Sequence, residues 1–313
     1  MDVPFTTPGN WPELRAGRFA ATLRRSSAEG CRCALLGLPD DLGVKLNGGR
    51  VGARGGPTAF RAALGRFGVP WDGVHQRALD VPIYDAGDVT PAPGEDESAL
   101  FETHRRVESA VAALQARGMV TLCVGGGHDL SLPSVAAASS ARGRALGGIN
   151  VDAHLDVRPK VGSGMPFRRL IEERRLDARR FVELGLGRFV NDASDIEWLR
   201  AQGGTMIHAE AIFEGGLDRE AALDLATSEG PGFLSIDLDG LDHGVAPGVS
   251  APNPMGLSLR EVVPLAEAAG AREAIVHFDL MELNPAYDVD THTSRAAALL
   301  FLSFVAGFCQ RPA

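Results

Sequence analysis

Eight short apolar, β-rich runs alternate along the chain with longer amphipathic segments, and this alternation constrains the fold more than any other feature of the sequence. The runs cover residues 34–37, 81–84, 119–124, 148–151, 181–184, 205–208, 233–236 and 274–280. Helical patterns lie at 57–64, 97–117, 130–139, 167–173, 193–202, 218–226, 259–269 and 294–304. The runs are nearly continuous in apolar character, as strands buried on both faces are. Strand–helix alternation of this kind builds a parallel α/β sheet covered by helices on both faces. A closed (β/α)8 barrel fits the same count and stays open at this point. The Pro/Gly-rich stretches at 90–94 and 246–256 have loop rather than linker lengths. With no internal repeat, one domain over 1–313 is the expectation.

Charge narrows the partners. Lys and Arg total 31 against 40 Asp and Glu, a formal net charge of −9, and no basic block stands out. That balance disfavours nucleic acid and anionic membrane as partners. The longest apolar run, 296–308, falls short of the roughly 20 residues a membrane helix needs and reads as a buried C-terminal helix. The N-terminal segment lacks the charged and apolar regions of a signal peptide. Cys31 and Cys33 lie too close for an easy bridge, and Cys123 sits in an apolar run, so the four cysteines read as reduced thiols. A soluble cytoplasmic protein is expected.

Three stretches at the ends of predicted strands carry the chemistry. They are Gly125-Gly126-Gly127-His128-Asp129, Asp152-Ala153-His154-Leu155-Asp156, and Asp237-Leu238-Asp239. In parallel α/β folds the carboxyl ends of the strands form the ligand crevice, so these distant segments can meet there. Asp152, His154 and Asp156 recur every second residue, which in extended backbone points three side chains to one side. Each stretch has a plain alternative, a glycine turn or a helix cap. Their joint occurrence at three strand ends favours a metal site. Four ionised carboxylates at close range repel and drive their own neutralisation. Two divalent cations cancel that charge, and six O/N ligands without a thiolate suit Mn²⁺ first, with Fe²⁺, Co²⁺ or Zn²⁺ as alternatives. The glycines lack the spacing of a dinucleotide-binding loop.

Together these stretches resemble the ureohydrolase superfamily of arginases, agmatinases and formimidoylglutamases, binuclear manganese hydrolases of amidine or guanidine groups. The resemblance runs from about residue 34 to 308. It implies a three-layer α/β/α fold with a mostly parallel eight-stranded sheet. It also implies two Mn²⁺ per chain, one among His128, Asp152, Asp156 and Asp237 and the other among His154, Asp152, Asp237 and Asp239. Glu282, in Met281-Glu282-Leu283-Asn284-Pro285, matches the family glutamate that grips the amidine or guanidine. Asp156 is the expected proton carrier.

Within the superfamily, three stretches are most similar to the formimidoylglutamase branch: residues 47–57, 162–168 and 246–252. Ser163 stands where arginases and agmatinases place a proton-transferring histidine. Met165 stands where the branch usually has Thr, and His243 where the family commonly has Pro. The resemblance implies hydrolysis of N-formimidoyl-L-glutamate to L-glutamate and formamide. A guanidine hydrolase of the agmatinase or guanidinobutyrase type, and a non-catalytic metal-binding subunit, are the alternatives. A dianionic substrate calls for local positive charge in a chain of net −9. Arg50, Arg54 and Arg168 are the candidates, because a guanidinium fork pairs bidentately with a carboxylate. Relatives are oligomers, so a homo-oligomer is expected.

Overall fold

The computed structural model describes residues 2–312. The strands are β1 Thr6–Thr7, β2 Cys33–Leu38, β3 Trp71–Asp72, β4 Arg77–Ala78, β5 Ile83–Val89, β6 Val120–Gly125, β7 Leu146–Val151, β8 Leu176–Leu186, β9 Thr205–His208, β10 Gly232–Asp237 and β11 Ile275–Met281. The helices are α1 Leu42–Leu46, α2 Gly56–Arg66, α3 Glu97–Gln115, α4 Ser131–Arg142, α5 Pro166–Glu172, α6 Ala193–Gln202, α7 Ala209–Gly215, α8 Arg219–Thr227, α9 Leu259–Ala271 and α10 His292–Phe308. Nine strands form one open sheet in the order β1-β5-β2-β6-β11-β10-β7-β8-β9, and β3 and β4 form a small separate hairpin.

The sheet therefore has nine strands where eight are expected, and it is open, which settles the choice against a barrel. The additional strand is β1, two residues pairing antiparallel to β5 at one edge. Two residues carry no periodicity to read. All eight expected strands form, most of them longer than their apolar cores. Helix α1, of five residues, escapes the sequence reading for the same reason, and α7 Ala209–Gly215 escapes it as well.

The continuous apolar character of the strands follows from burial on both faces. In β10, Leu234 and Ile236 enter one core while Phe233 enters the opposite one. In β6, Leu122 and Val124 share the first core, and Cys123 faces the other layer. Helix α10 packs along α9 and α2 on the first face, where Phe304 stacks on Phe278 of β11 at 4.4 Å between ring centres. Helices α3, α4 and α5 pack against one another in the second layer. The apolar run at 296–308 is buried within α10, and no described helix is long and apolar enough to cross a membrane.

Strand order places the chemistry. From β2 the chain adds β5 on one side and β6 on the other, then builds β7, β8 and β9 towards the far edge, and returns with β10 and β11 to fill the gap between β6 and β7. Adjacent strands that depart in opposite directions leave a crevice at their carboxyl ends. The neighbours β6, β11, β10 and β7 end at Gly125, Met281, Asp237 and Val151, directly before or within the sequences singled out above.

The glycines before His128 permit close backbone approach there. The Gly126 N–H donates to the Leu38 carbonyl (3.0 Å), the Gly127 N–H donates to that of Asp40 (2.9 Å), and the Gly126 carbonyl accepts from the Glu282 N–H (2.8 Å). A β-carbon on Gly126 would lie 1.8 Å from the Asp40 carbonyl oxygen. Gly126→Ala is therefore expected to lower the denaturant midpoint by the equivalent of about 1–3 kcal/mol at unchanged slope. A wild-type midpoint would contradict the packing of these three strand ends.

Candidate metal centre

His128 follows β6 in a single turn of 3-10 helix, Asp152 follows β7, and Asp237 closes β10. All four members of the group His128, Asp152, Asp156 and Asp237 offer ligand atoms within 4.8 Å of one another, and so do Asp152, His154 and Asp239. Asp152 belongs to both groups. Its Oδ2 lies 3.3 Å from His128 Nδ1, and its Oδ1 lies 3.2 Å from His154 Nδ1. A carboxylate facing two clusters through separate oxygens is placed to bridge two cations. Asp237 presents Oδ2 to His128 Nδ1 at 3.0 Å, while its Oδ1 accepts the Asp239 backbone N–H at 2.8 Å.

The donor geometry fits a cation better than it fits hydrogen bonding. His128 Nδ1 has carboxylate oxygens of Asp152, Asp156 and Asp237 at 3.3, 2.9 and 3.0 Å, yet it is buried without a hydrogen-bond partner. Asp239 Oδ1 is orphaned in the same way, 3.3 Å from His154 Nδ1. Buried polar atoms left unpaired are costly and call for an explanation. Lone pairs converging on shared points supply one, and the all-O/N set suits a hard or borderline divalent ion.

Burial and mutual repulsion raise every acid in the cluster but one. Desolvation and then the Asp152 charge raise Asp237 to about 6 and also raise Asp156. Desolvation and Asp237 raise Asp239 well above the usual range. Burial opposes ionisation of Asp152 too, but the adjacent His128 and His154 outweigh it and hold that carboxyl low. For His128 and His154 burial works against the cation, and the surrounding carboxylates overcome it, raising both.

Backbone conformation completes the placement. Asp156 and Glu282 adopt left-handed φ values of 47° and 65°. Such conformations are uncommon outside glycine and persist where the surroundings enforce them. Asn191 pins the β7 loop by accepting from the Leu155 N–H and donating to the Ala153 carbonyl, both at 2.9 Å. Glu282 accepts the His128 backbone N–H at Oε1 (2.9 Å) and the Ser250 hydroxyl at Oε2. Burial and the Asp237 charge lift its carboxyl to about 8.

A cavity of about 120 Å³ opens on this centre, lined by Asn47, Gly49, His154, Asp156, Arg158, Ser163, Asp237, Asp239, Ser250, Ala251 and Glu282. The structure thus brings together the six expected metal ligands, Glu282 and Ser163. The three expected arginines stand elsewhere. Arg50 donates to the Val249 carbonyl and stacks on Tyr287, and Arg54 pairs with buried Asp41 at 2.7 Å. Arg168 pairs with Glu172 at 3.0 Å and lies over Trp198. Each is drawn away by a partner from a distant or helical neighbour that sequence spacing does not display.

The guanidinium that lines the cavity is Arg158, which sequence reading passed over. It continues the every-second-residue series Asp152, His154, Asp156, and that spacing was the available signal. Its Nη1 donates to Asn47 Oδ1 at 3.3 Å, its backbone N–H donates to the Gly164 carbonyl at 2.8 Å, and it pairs with no carboxylate among the described residues. Ser250 was also missed as a site residue, although it lies in one of the stretches resembling the formimidoylglutamase branch.

Comparison with known proteins agrees with this geometry. The Arginase family model matches residues 31–307, and the chain belongs to the arginase family. It is 35% identical over 302 residues to a formimidoylglutamase of Nocardia farcinica, covering 91% of this chain and 90% of that one. It is 31% identical over 281 residues to a guanidinobutyrase of Pseudomonas aeruginosa, covering 85% and 83%. The Trypanosoma cruzi formiminoglutamase crystallised with Mn²⁺ superposes with a TM-score of 0.88 at 34% identity, over 94% of this chain and 99% of that one.

Two outcomes test the centre. Asp152→Ala is expected to abolish tight Mn²⁺ binding at both positions, and Asp239→Ala at one, as measured by metal analysis after gel filtration. Equal loss from the two substitutions would remove Asp152 from its bridging place. Because Asp237 titrates near 6 without an ion, a bound cation competes with its proton. Mn²⁺ affinity should therefore fall as pH drops through 6. Calorimetry at pH 6 in buffers of differing ionisation enthalpy should show proton release on binding, and a buffer-independent heat would contradict the assignment.

Proposed function

We propose that this chain, an enzyme of the arginase family, hydrolyses N-formimidoyl-L-glutamate to L-glutamate and formamide. Two Mn²⁺ ions per chain are assigned to His128, Asp152, Asp156 and Asp237, and to His154, Asp152, Asp237 and Asp239. The observation that carries the reading is a single cavity shared by the metal-holding acids, Glu282 and one guanidinium, Arg158. A substrate with an amidine at one end and carboxylates at the other matches that charge order. The curated relatives named formimidoylglutamase support the same substrate.

When bound, a pair of divalent ions polarises the amidine and makes water a nucleophile at neutral pH. The chain's own residues do the rest. Glu282, held from two sides by the His128 N–H and Ser250 hydroxyl, receives the amidinium N–H groups and orients the formimidoyl carbon. Arg158 receives a glutamate carboxylate at a fixed place, since Asn47 and the Gly164 carbonyl restrain it. Ser163, with its backbone N–H on the Gly43 carbonyl, offers a hydroxyl to the cavity wall. Water adds to the formimidoyl carbon, the bond to the glutamate nitrogen breaks, and that nitrogen takes up a proton. Asp156 lines the cavity and is the group assigned to deliver it.

A 4-guanidinobutanoate substrate also joins a cationic head to a carboxylate, and a relative bears the name guanidinobutyrase. Agmatine instead would set its ammonium against Arg158. The proposal includes one working unit over residues 1–313, a homo-oligomeric assembly and a cytoplasmic setting.

A product assay across formimidoylglutamate, guanidinobutanoate, agmatine and arginine with Mn²⁺ decides the substrate. Formimidoylglutamate should turn over fastest, and faster hydrolysis of either cationic competitor would overturn the assignment. Arg158→Ala is expected to raise KM for formimidoylglutamate roughly tenfold or more, the scale of one charged hydrogen bond, with metal content unchanged. Arg168→Ala should leave KM near wild type. The rate under saturating Mn²⁺ should rise from pH 5 to 8 as the ligands lose their protons, and a maximum near pH 5 would contradict this chemistry.

A further inference from the structure

Behind His128, a chain of buried polar side chains crosses the sheet away from the cavity. His128 Nε2 lies 3.0 Å from Ser235 Oγ, and the Ser235 hydroxyl donates to Asp279 Oδ1 at 2.5 Å. Asp279 Oδ2 also accepts the Ser131 hydroxyl and meets His277 Nε2, both at 3.0 Å. His277 Nδ1 lies 2.7 Å from Thr121 Oγ1, which accepts from Gln115 Nε2 at 2.9 Å. Gln115 Nε2 also donates to the Val276 carbonyl at 2.9 Å. The path follows strand register, since Ser235 pairs with Asp279 across β10 and β11, and His277 pairs with Thr121 across β11 and β6. Ser235, Asp279, His277 and Thr121 are fully buried.

The bond directions follow from the two groups in this path that only accept, the Val276 carbonyl and the Asp279 carboxylate. A backbone carbonyl only accepts, so the Gln115 amide must turn its nitrogen towards Val276 and thereby also towards Thr121. Facing the Asp279 carboxylate, a neutral His277 carries its proton on Nε2 and donates it, which leaves Nδ1 as an acceptor. Thr121 Oγ1 accepts from Gln115 and gives its own proton to that Nδ1. Asp279 accepts at all three of its contacts, so the Ser235 hydroxyl is committed to it. The Ser235 oxygen is left as an acceptor, and His128 must carry its proton on Nε2. That leaves the Nδ1 lone pair free, aimed at the oxygens of Asp152, Asp156 and Asp237.

We infer that Gln115, Thr121 and His277 are positioning residues that hold His128 in its metal-binding tautomer through Asp279 and Ser235. The inference rests on the reading of His128 as a ligand. Outer partners of a ligating histidine commonly contribute about 10–100-fold to metal affinity. The relay touches one of the two ligand groups, because His154 has no part in it. Its loss should weaken one ion position and spare the other, whereas a purely structural role would weaken both or neither.

The test is Mn²⁺ titration of the full-length protein, resolving two binding steps. His277→Phe and Thr121→Val are each expected to weaken one step about tenfold or more, with the other step within about twofold of wild type as the internal control for folding. His277→Gln, which keeps a donor towards Asp279, should recover most of the lost affinity. Equal weakening of both steps, or wild-type binding in His277→Phe, overturns the relay. A measurement on the unmutated chain is independent of folding: ¹⁵N spectra of the histidine-labelled, Zn²⁺-loaded protein should show His277 and His128 both protonated at Nε2. A proton on Nδ1 of His277 overturns the inference. His128→Ala separates the two readings, since retention of both Mn²⁺ ions in that variant refutes the ligand assignment, whereas loss of one with no effect in His277→Phe refutes only the relay.

Discussion

The structure depends on holding four aspartates and two histidines in a buried space where their charges do not cancel. Asp152, Asp237 and Asp239 are nearly inaccessible, and Asp156 is little more exposed. In such surroundings like charges interact far more strongly than in water, and desolvation adds to the cost of each. Only one of the four acids, Asp152, is held below its ordinary range, because two imidazoles touch it. Burial and mutual repulsion raise the other three. A pair of divalent cations, as proposed for this site, would remove the conflict at once.

Much of the surrounding fold serves to keep that cluster from relaxing. Gly126 lets the end of β6 lie against the backbone of Leu38 and Asp40, Gly125 leaves room for the Met281 side chain, and the side chain of Asp129 fills the space beside Gly43. His104 holds Asp129 at 2.7 Å from helix α3. Left-handed Asp156 and Glu282 turn the chain sharply at the two points where carboxyl groups must face the cavity. Each strand end is tied to another strand end, so no single loop can withdraw a ligand without disturbing its neighbours.

The sequence displays the metal-holding residues more clearly than the cavity wall, for a physical reason. Asp152, His154 and Asp156 fall within five residues directly after β7, so their spacing displayed their nearness although the segment bends at 153–154 and turns at left-handed Asp156. Strand existence was legible because burial on two faces leaves continuous apolar runs. Strand β1 and helix α1 were not, being too short to show a period. The arginines failed differently. Arg50, Arg54 and Arg168 lie in segments that do approach the site, but Val249, Asp41, Glu172 and Trp198 engage them. Direction in loops and short helices is set by tertiary partners, and no local pattern encodes those partners.

In the proposed reading, Arg158 lets metal chemistry and substrate choice share one segment without interfering. It lies two residues beyond Asp156, on the far side of the left-handed turn. Its backbone is tied to Gly164 rather than to the strand, and its side chain reaches Asn47, at the C-terminal end of α1. The turn at Asp156 therefore separates two mechanical units. Upstream, strand register with β8 and β10 fixes the ligands. Downstream, contacts with the loops around Asn47 and Gly164 place the cation. Alteration of those loops can move the guanidinium while β7 keeps Asp152 in place. A fold built this way can hold its metal chemistry constant and vary the group it recognises at the mouth of the cavity.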